Sequence, residues 1–315
     1  MKLSNLFNDF VRVAQGLRKG SARSAREGLK SMTILALLLI IGVGSAWGTA
    51  TSGTFYKITD TGNLTTGYYI IAASNNANAN SDYVAGSSIN SNKRLEGVDI
   101  NLSTSATTIT NPDDALVFLI TKTTVDKVDY YTFLNVKNNK YLYQSSTTSG
   151  KGMAWGDDAT NFTLAGYNSS SPGGFKFTLN GASNNIFKYN ASNHWFANYT
   201  GSYAVDMTPV RLYKAYKVTY NGNGNTRGTV PTDATYYSGN GSTSVTTKTN
   251  SGNLEKTGYT FAGWNTRADG AGTHYAAGGT FTISANTTLY AEWESAAVCG
   301  SAPTVSNGSL KGSLF

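Results

Sequence analysis

The hexapeptide Asp113-Asp114-Ala115-Leu116-Val117-Phe118 returns as Asp157-Asp158-Ala159-Thr160-Asn161-Phe162, and more weakly as Asp206-Met207-Thr208-Pro209-Val210. In each copy an Asp precedes an apolar residue by four: Asp114/Phe118, Asp158/Phe162, Asp206/Val210. The copies lie 44 and 48 residues apart. Working outward, strand-like runs recur in the same phase. Tyr68–Ile71, Tyr131–Leu134 and Phe175–Leu179 form one set, and Phe118 to Phe133 spans the same 15 residues as Phe162 to Phe177. A second set is Tyr83–Ala85, Tyr141–Tyr143 and Ile186–Tyr189; a third is Arg94-Leu95, Met153–Trp155 and Trp195–Ala197. The fourth is Leu116–Ile120, Phe162–Leu164 and Val210–Tyr213. Turn-forming clusters such as 75–78, Asn138-Asn139 and 169–174 separate them. A unit of four short strands cannot bury a face alone, but three packed around a pseudo-threefold axis can. The expectation is an all-β domain over residues 55–214.

That arrangement resembles a β-trefoil, and the turn and strand Asn139-Lys140-Tyr141-Leu142 is similar to those of ricin-like and fascin-like domains. A different motif set follows. Tyr216-Lys217-Val218-Thr219-Tyr220 alternates as a strand does, and Asn221-Gly222-Asn223-Gly224 reads as a turn. Gly258-Tyr259-Thr260-Phe261-Ala262-Gly263-Trp264 and Thr287-Thr288-Leu289-Tyr290-Ala291-Glu292-Trp293 come next. In that order, these segments resemble the Listeria–Bacteroides repeat, the B-repeat of internalins, over residues 216–294. The resemblance implies a small β-grasp-like module of secreted and surface proteins. Tyr259, Phe261, Trp264, Leu289 and Trp293 are its candidate core. The stretch 237–247 is richer in Ser, Thr and Gly than such repeats usually are, and there is one copy.

Composition supports short strands and polar turns rather than helices: 14% of the 315 residues are charged, with 34 Gly, 20 Tyr and 5 Pro. The net charge of +7 is unevenly placed. Residues 1–48 hold seven Lys/Arg and two acids, leaving 18 basic and 16 acidic residues elsewhere. No basic stripe remains for phosphates, so a nucleic-acid partner is not expected. Residues 1–48 read as a signal peptide. A basic segment ends at Lys30, an apolar run covers Met32–Val43, and small residues follow, with cleavage near Ala46-Trp47-Gly48 or after Ala50. That run is shorter than the roughly 20 residues of a spanning helix. Membrane contact is therefore expected only through this segment, and the destination is secreted or cell-envelope. Residues 295–315 read as a linker or the start of a truncated further domain, carrying the single cysteine, Cys299.

Chemistry is sparse. The two histidines, His194 and His274, fall in different modules with no His or Cys at ligand spacing, so no metal site is expected. No G-x-S-x-G elbow is present. The recurrence of the paired Asp residues at equivalent places favours turn fixation over a calcium site, for which no D-x-D-x-D-G loop is present, and over glycosidase chemistry. No catalytic residue and no cofactor is expected. Aromatic residues beside Asn and Ser suit sugar rings, and Trp155, Trp195 and Tyr199 border turns, which makes them the candidate exposed ligand contacts. The expected role is a non-catalytic binding or adhesion protein whose partner is a glycan or a surface protein. The alternative is the N-terminal part of a larger secreted enzyme.

Overall fold

The computed structural model describes residues 52–74, 82–103, 105–146, 148–168, 174–179, 182–200, 207–238 and 243–296. The leader, the turn 75–78, Asp206 and Cys299 lie outside the described residues.

The first fifteen strands are β1 (Thr54–Ile58), β2 (Gly67–Ser74), β3 (Asp82–Ile89), β4 (Leu95–Leu102), β5 (Thr108–Thr110), β6 (Val117–Val125), β7 (Val128–Asn135) and β8 (Lys140–Gln144), then β9 (Met153–Gly156), β10 (Phe162–Asn168), β11 (Gly174–Leu179), β12 (Ala182–Asn190), β13 (Trp195–Tyr199), β14 (Met207–Thr208) and β15 (Arg211–Ala215). Six of them close a barrel. β15 pairs with β2, β2 with β6, β6 with β7, β7 with β10, and β10 with β11. A Phe175–Val210 bridge then returns β11 to the entrance of β15. The hairpins β3–β4, β8–β9 and β12–β13 cap it. Each repeat thus gives two barrel strands and one cap hairpin, which is the β-trefoil arrangement. The hexapeptide marks the entry to the last strand of a repeat: Asp113 accepts the Ala115 N–H at 2.7 Å and starts a single turn, 114–116, before β6. In the second copy Asp157 is ion-paired to Lys140 instead.

Barrel closure is driven by aromatics. Phe118, Phe133, Phe162, Phe177 and Phe187 are at most 1% exposed, and Phe133 meets Phe162 and Phe177 edge to face at 5.1 Å. Burying each ring contributes about 1.5–3 kcal/mol, with edge-to-face contacts adding to that. Leu95, Met153 and Phe196, one per repeat, are fully buried where the cap hairpins meet. The turn between β6 and β7 is only two residues, Asp126 and Lys127, both at positive φ (50° and 67°), the backbone that a tight hairpin demands.

Strands β1 and β5 escape the repeat pattern. They pair with each other and β1 with β15, outside the barrel. Tyr69, Ile71 and Ala73 of β2 face the barrel core, whereas Ile70 and Ala72 face a second core with Phe55, Ile109 and Tyr213. Burial on both faces explains why 68–73 reads as a continuous apolar run.

The remaining strands are β16 (Val218–Asn221), β17 (Ser244–Thr246), β18 (Tyr259–Asn265), β19 (His274–Tyr275), β20 (Thr280–Thr282) and β21 (Thr287–Ser295). β16 and β21, first and last, lie side by side in parallel; β18 and β19 extend the sheet, and β17–β20 form a separate ribbon. The parallel pairing of the module's first and last strands is the grasp-like feature, here with no helix among the described residues of the module. Trp264, fully buried, centres the core with Val218, Tyr220, Leu289 and Ala291. Its neighbour Gly263 sits at φ 137°, and a Cβ there would come within 2.9 Å of the His274 ring and 2.7 Å of the Tyr275 carbonyl. The glycine before the tryptophan is therefore required by close approach.

Candidate binding site

The cap is stitched together by side chains at the seams between repeats, with repeat three meeting repeat two where Asn198 Nδ2 donates to Gln144 Oε1 at 2.6 Å. At the end of β3 the Asn90 side chain accepts the N–H groups of Asn92 and Arg94, which folds the turn into β4 with Lys93 at φ 60°. At the end of β12, Asn190 accepts the N–H of Asn193, leaving His194 at φ 56°. These amide-built turns deliver Arg94 and Trp195 to the junction where β4 pairs with β13 (Leu95 opposite Phe196).

Two stacked pairs stand at this seam between repeats one and three. The Arg94 guanidinium lies 4.0 Å from the Trp195 ring centroid, and its Nε donates to the Gly150 carbonyl at 2.6 Å. The terminal N–H groups of Arg94 make no hydrogen bond within the described protein. Trp195 Nε1 donates to the Tyr199 hydroxyl at 2.8 Å. Tyr83 stacks on His194 with ring centroids 4.2 Å apart and planes 7° from parallel, and His194 Nδ1 shares a 2.9 Å hydrogen bond with the Tyr189 hydroxyl. Arg94, Trp195, Tyr83 and His194 are all half-buried. The Arg94–Trp195 pair offers a ring edge and a cationic fork side by side, the groups that hold hydroxyls and carboxylates.

Tyr199 departs from the expectation. It is 5% exposed, its ring is covered by Gly150, and burial raises its pKa against the hydrogen bonds from Trp195 and Asn190. It borders a turn in sequence, but β13 turns it inward, so it orients Trp195 rather than meeting solvent. Trp155 is half-buried at another seam: its Nε1 donates to the Ser87 carbonyl at 2.9 Å, which also accepts Asn138 Nδ2 at 2.8 Å. The structure therefore joins Trp195 to Tyr199 and places Trp155 between repeats one and two. Arg94 and Tyr83 were not anticipated; the Asn-led turns 90–94 and 190–194 are the signal that pairs them with Trp195 and His194.

His274 pairs with Glu292 at 2.6 Å in the second module. Asp114 accepts a hydrogen bond from the Tyr236 hydroxyl at 3.2 Å, and burial raises its pKa. No cluster of three metal-ligating side chains occurs among the described residues, and none of their helices is long and apolar enough to cross a membrane.

Residues 216–292 match the Listeria-Bacteroides repeat domain family, in agreement with the reading of 216–294 as such a repeat. A Gly-rich membrane protein of Evansella cellulosilytica is 39% identical over 80 residues, covering 25% of this chain and 9% of that protein. A second membrane protein of the same organism is 37% identical over 96 residues, covering 30% of this chain and 14% of that protein. The matched stretch is thus a small part of each relative's length. The crystal structure of the Rhizoctonia solani agglutinin aligns with a TM-score of 0.34 and 14% identity, covering 48% of this chain and 96% of that one.

Proposed function

We propose that this chain is an exported, non-catalytic cell-envelope or extracellular protein whose trefoil binds a glycan at the seam of repeats one and three. The carrying observation is the half-buried Arg94–Trp195 pair, with the guanidinium's terminal N–H groups making no hydrogen bond among the described residues. A planar fork beside an indole edge suits a saccharide whose hydroxyl or carboxylate groups accept while its ring packs on the aromatic. Trp195 and Arg94 are the contacts, Tyr199 holds the indole in place, and Trp155 marks a second, separate seam. The apolar leader and the relatives named as membrane proteins support an envelope address.

The test is a polysaccharide panel, uronic-acid polymers included, against the full chain and its Trp195→Ala, Arg94→Ala and Trp155→Ala variants, each checked by thermal melt. Loss of binding in the first two variants, with melting intact, is the expected result. A wild-type protein that binds none of the panel removes the glycan reading and leaves a surface-protein ligand.

A further inference from the structure

Between the trefoil and the repeat module only Tyr216 and Lys217 separate β15 from β16. Domains joined end to end move relative to one another unless their interface is extensive and apolar. Here a segment from inside the repeat module crosses back. Tyr236 lies in the long connection between β16 and β17 and is 1% exposed, packed in the second core of the trefoil. Its ring centroid is 5.0 Å from Phe55 and 5.3 Å, edge on, from Tyr68. Lys217 covers the ring at 4.3 Å, and the hydroxyl donates to Asp114.

The backbone is fixed on both sides. The Thr54 N–H donates to the Tyr236 carbonyl at 3.1 Å, and the Tyr236 N–H to the Ser52 carbonyl at 3.3 Å. On the opposite edge Tyr216 and Tyr237 exchange hydrogen bonds of 2.8 and 2.9 Å. The 236–237 segment is therefore a stave between the start of the described chain and the inter-module connection. Gly53 is part of the fit: a Cβ there would stand 2.6 Å from the Tyr236 Cβ. The connection itself is pinned as well, because the Lys217 N–H donates to Asn286 at 2.9 Å and the Thr287 N–H to the Lys217 carbonyl at 3.0 Å.

We propose that Tyr236 is an inter-module clamp that makes the trefoil and the repeat one rigid, cooperatively folding body, so that the repeat sets the direction in which the trefoil surface is presented. The trefoil's second core is completed by a side chain from the next module. Loosening the repeat withdraws that side chain, exposes Phe55 and Tyr68, and frees the Ser52–Thr54 segment. This coupling does not depend on the nature of the ligand.

The experiment uses the full chain with Cys299→Ser and spin labels at two exposed positions, Tyr143→Cys in β8 and Glu294→Cys in β21. Pulsed electron–electron distance measurement is expected to give a single narrow distribution. Tyr236→Phe, which keeps the ring, retains it. Tyr236→Ala broadens it at least about twofold, and Gly53→Ala broadens it by wedging the tyrosine from its seat. A broad distribution in the unsubstituted chain overturns the proposal whatever the variants do. So does a distribution in Tyr236→Ala or Gly53→Ala as narrow as in the parent. Glycan binding is not read in this experiment, so its outcome stands apart from that of the ligand screen.

Discussion

Of the cations that lie over aromatic rings among the described residues, two invite comparison: Arg94 over Trp195 at 4.0 Å and Lys217 over Tyr236 at 4.3 Å. The contacts are alike; the rings' surroundings are not. Trp195 is half-buried, and Arg94 has donors to spare. Tyr236 is sealed, its hydroxyl is taken by Asp114, and its backbone is bonded on both edges. A cation–π contact contributes about 0.5–1 kcal/mol when exposed and about 2 or more when desolvated. The same pairing therefore does different work: sealed, it joins modules, and open, it leaves a surface with unspent hydrogen-bonding capacity. Burial also lowers the Lys217 pKa, partly offset by Asp114 and Asp233.

The largest expected effect is on the sealed side. Tyr236→Ala empties a site bounded by Phe55, Tyr68 and Lys217 and should cost about 3–5 kcal/mol in chemical denaturation, the range for removing a large buried aromatic. Tyr236→Phe should cost about 1–3 kcal/mol, because Asp114 loses its donor. Equal costs for the two would mean that the ring's packing contributes little and would break the contrast with Trp195.

A smaller effect sharpens it through pH. Lys214 is 1% exposed, with Nζ on the Asn63 carbonyl at 2.8 Å and the Thr65 hydroxyl at 2.7 Å, and burial pulls its pKa down to about 8. The unfolded chain holds this proton up to about pH 10.4. Between about pH 8 and 10 this residue therefore binds more protons in the unfolded state than in the folded one, and its contribution to stability rises with pH by up to about 1.4 kcal/mol per unit. Below pH 8 both states are charged and the penalty is constant. Above about pH 10 unfolded tyrosines ionise before buried ones such as Tyr69, whose pKa is raised by burial, and the trend reverses. The other titrating lysines and tyrosines are common to both proteins, so the melting temperature of the wild type relative to Lys214→Met should rise from about pH 8 to 10; a difference that stays flat over that range sinks the assignment.

Much of the barrel was legible because its rule is repetition. Equal 15-residue spacings place Phe118, Phe133, Phe162 and Phe177 in one core, and all twelve strands of the three repeats lie where that phase puts them. β1 and β5 were not legible, since they belong to no repeat and pair outside the barrel, with each other and with β15. The site was half legible. Proximity to turns in sequence made Trp195 and Tyr199 alike candidate exposed contacts, whereas Trp195 is half-buried and Tyr199 is 5% exposed; residues four apart on one strand face the same side, so what separates them is the close approach of Gly150 to the tyrosine ring, which no local pattern encodes. Tyr236 carried no sequence signal: a tyrosine in a polar connection becomes core only through a strand about 180 residues earlier, Thr54 onward, and no local pattern encodes such a pairing.

The smallest effect tests the open side most directly. Arg94→Lys keeps a cation near Trp195 but removes the planar fork. One ammonium cannot both cover the indole and reproduce the Nε bond to Gly150 while leaving donors in the fork's geometry. Stability should fall by less than about 1 kcal/mol, since the contact is partly exposed and the charge remains. Affinity for a bound saccharide should fall by about tenfold, because the lost donors are those the ligand would use. Isothermal titration beside a thermal melt separates the two quantities. A variant that melts lower yet binds unchanged would mean that Arg94 only braces the cap, and the two cation–aromatic pairs would then differ in exposure but not in role.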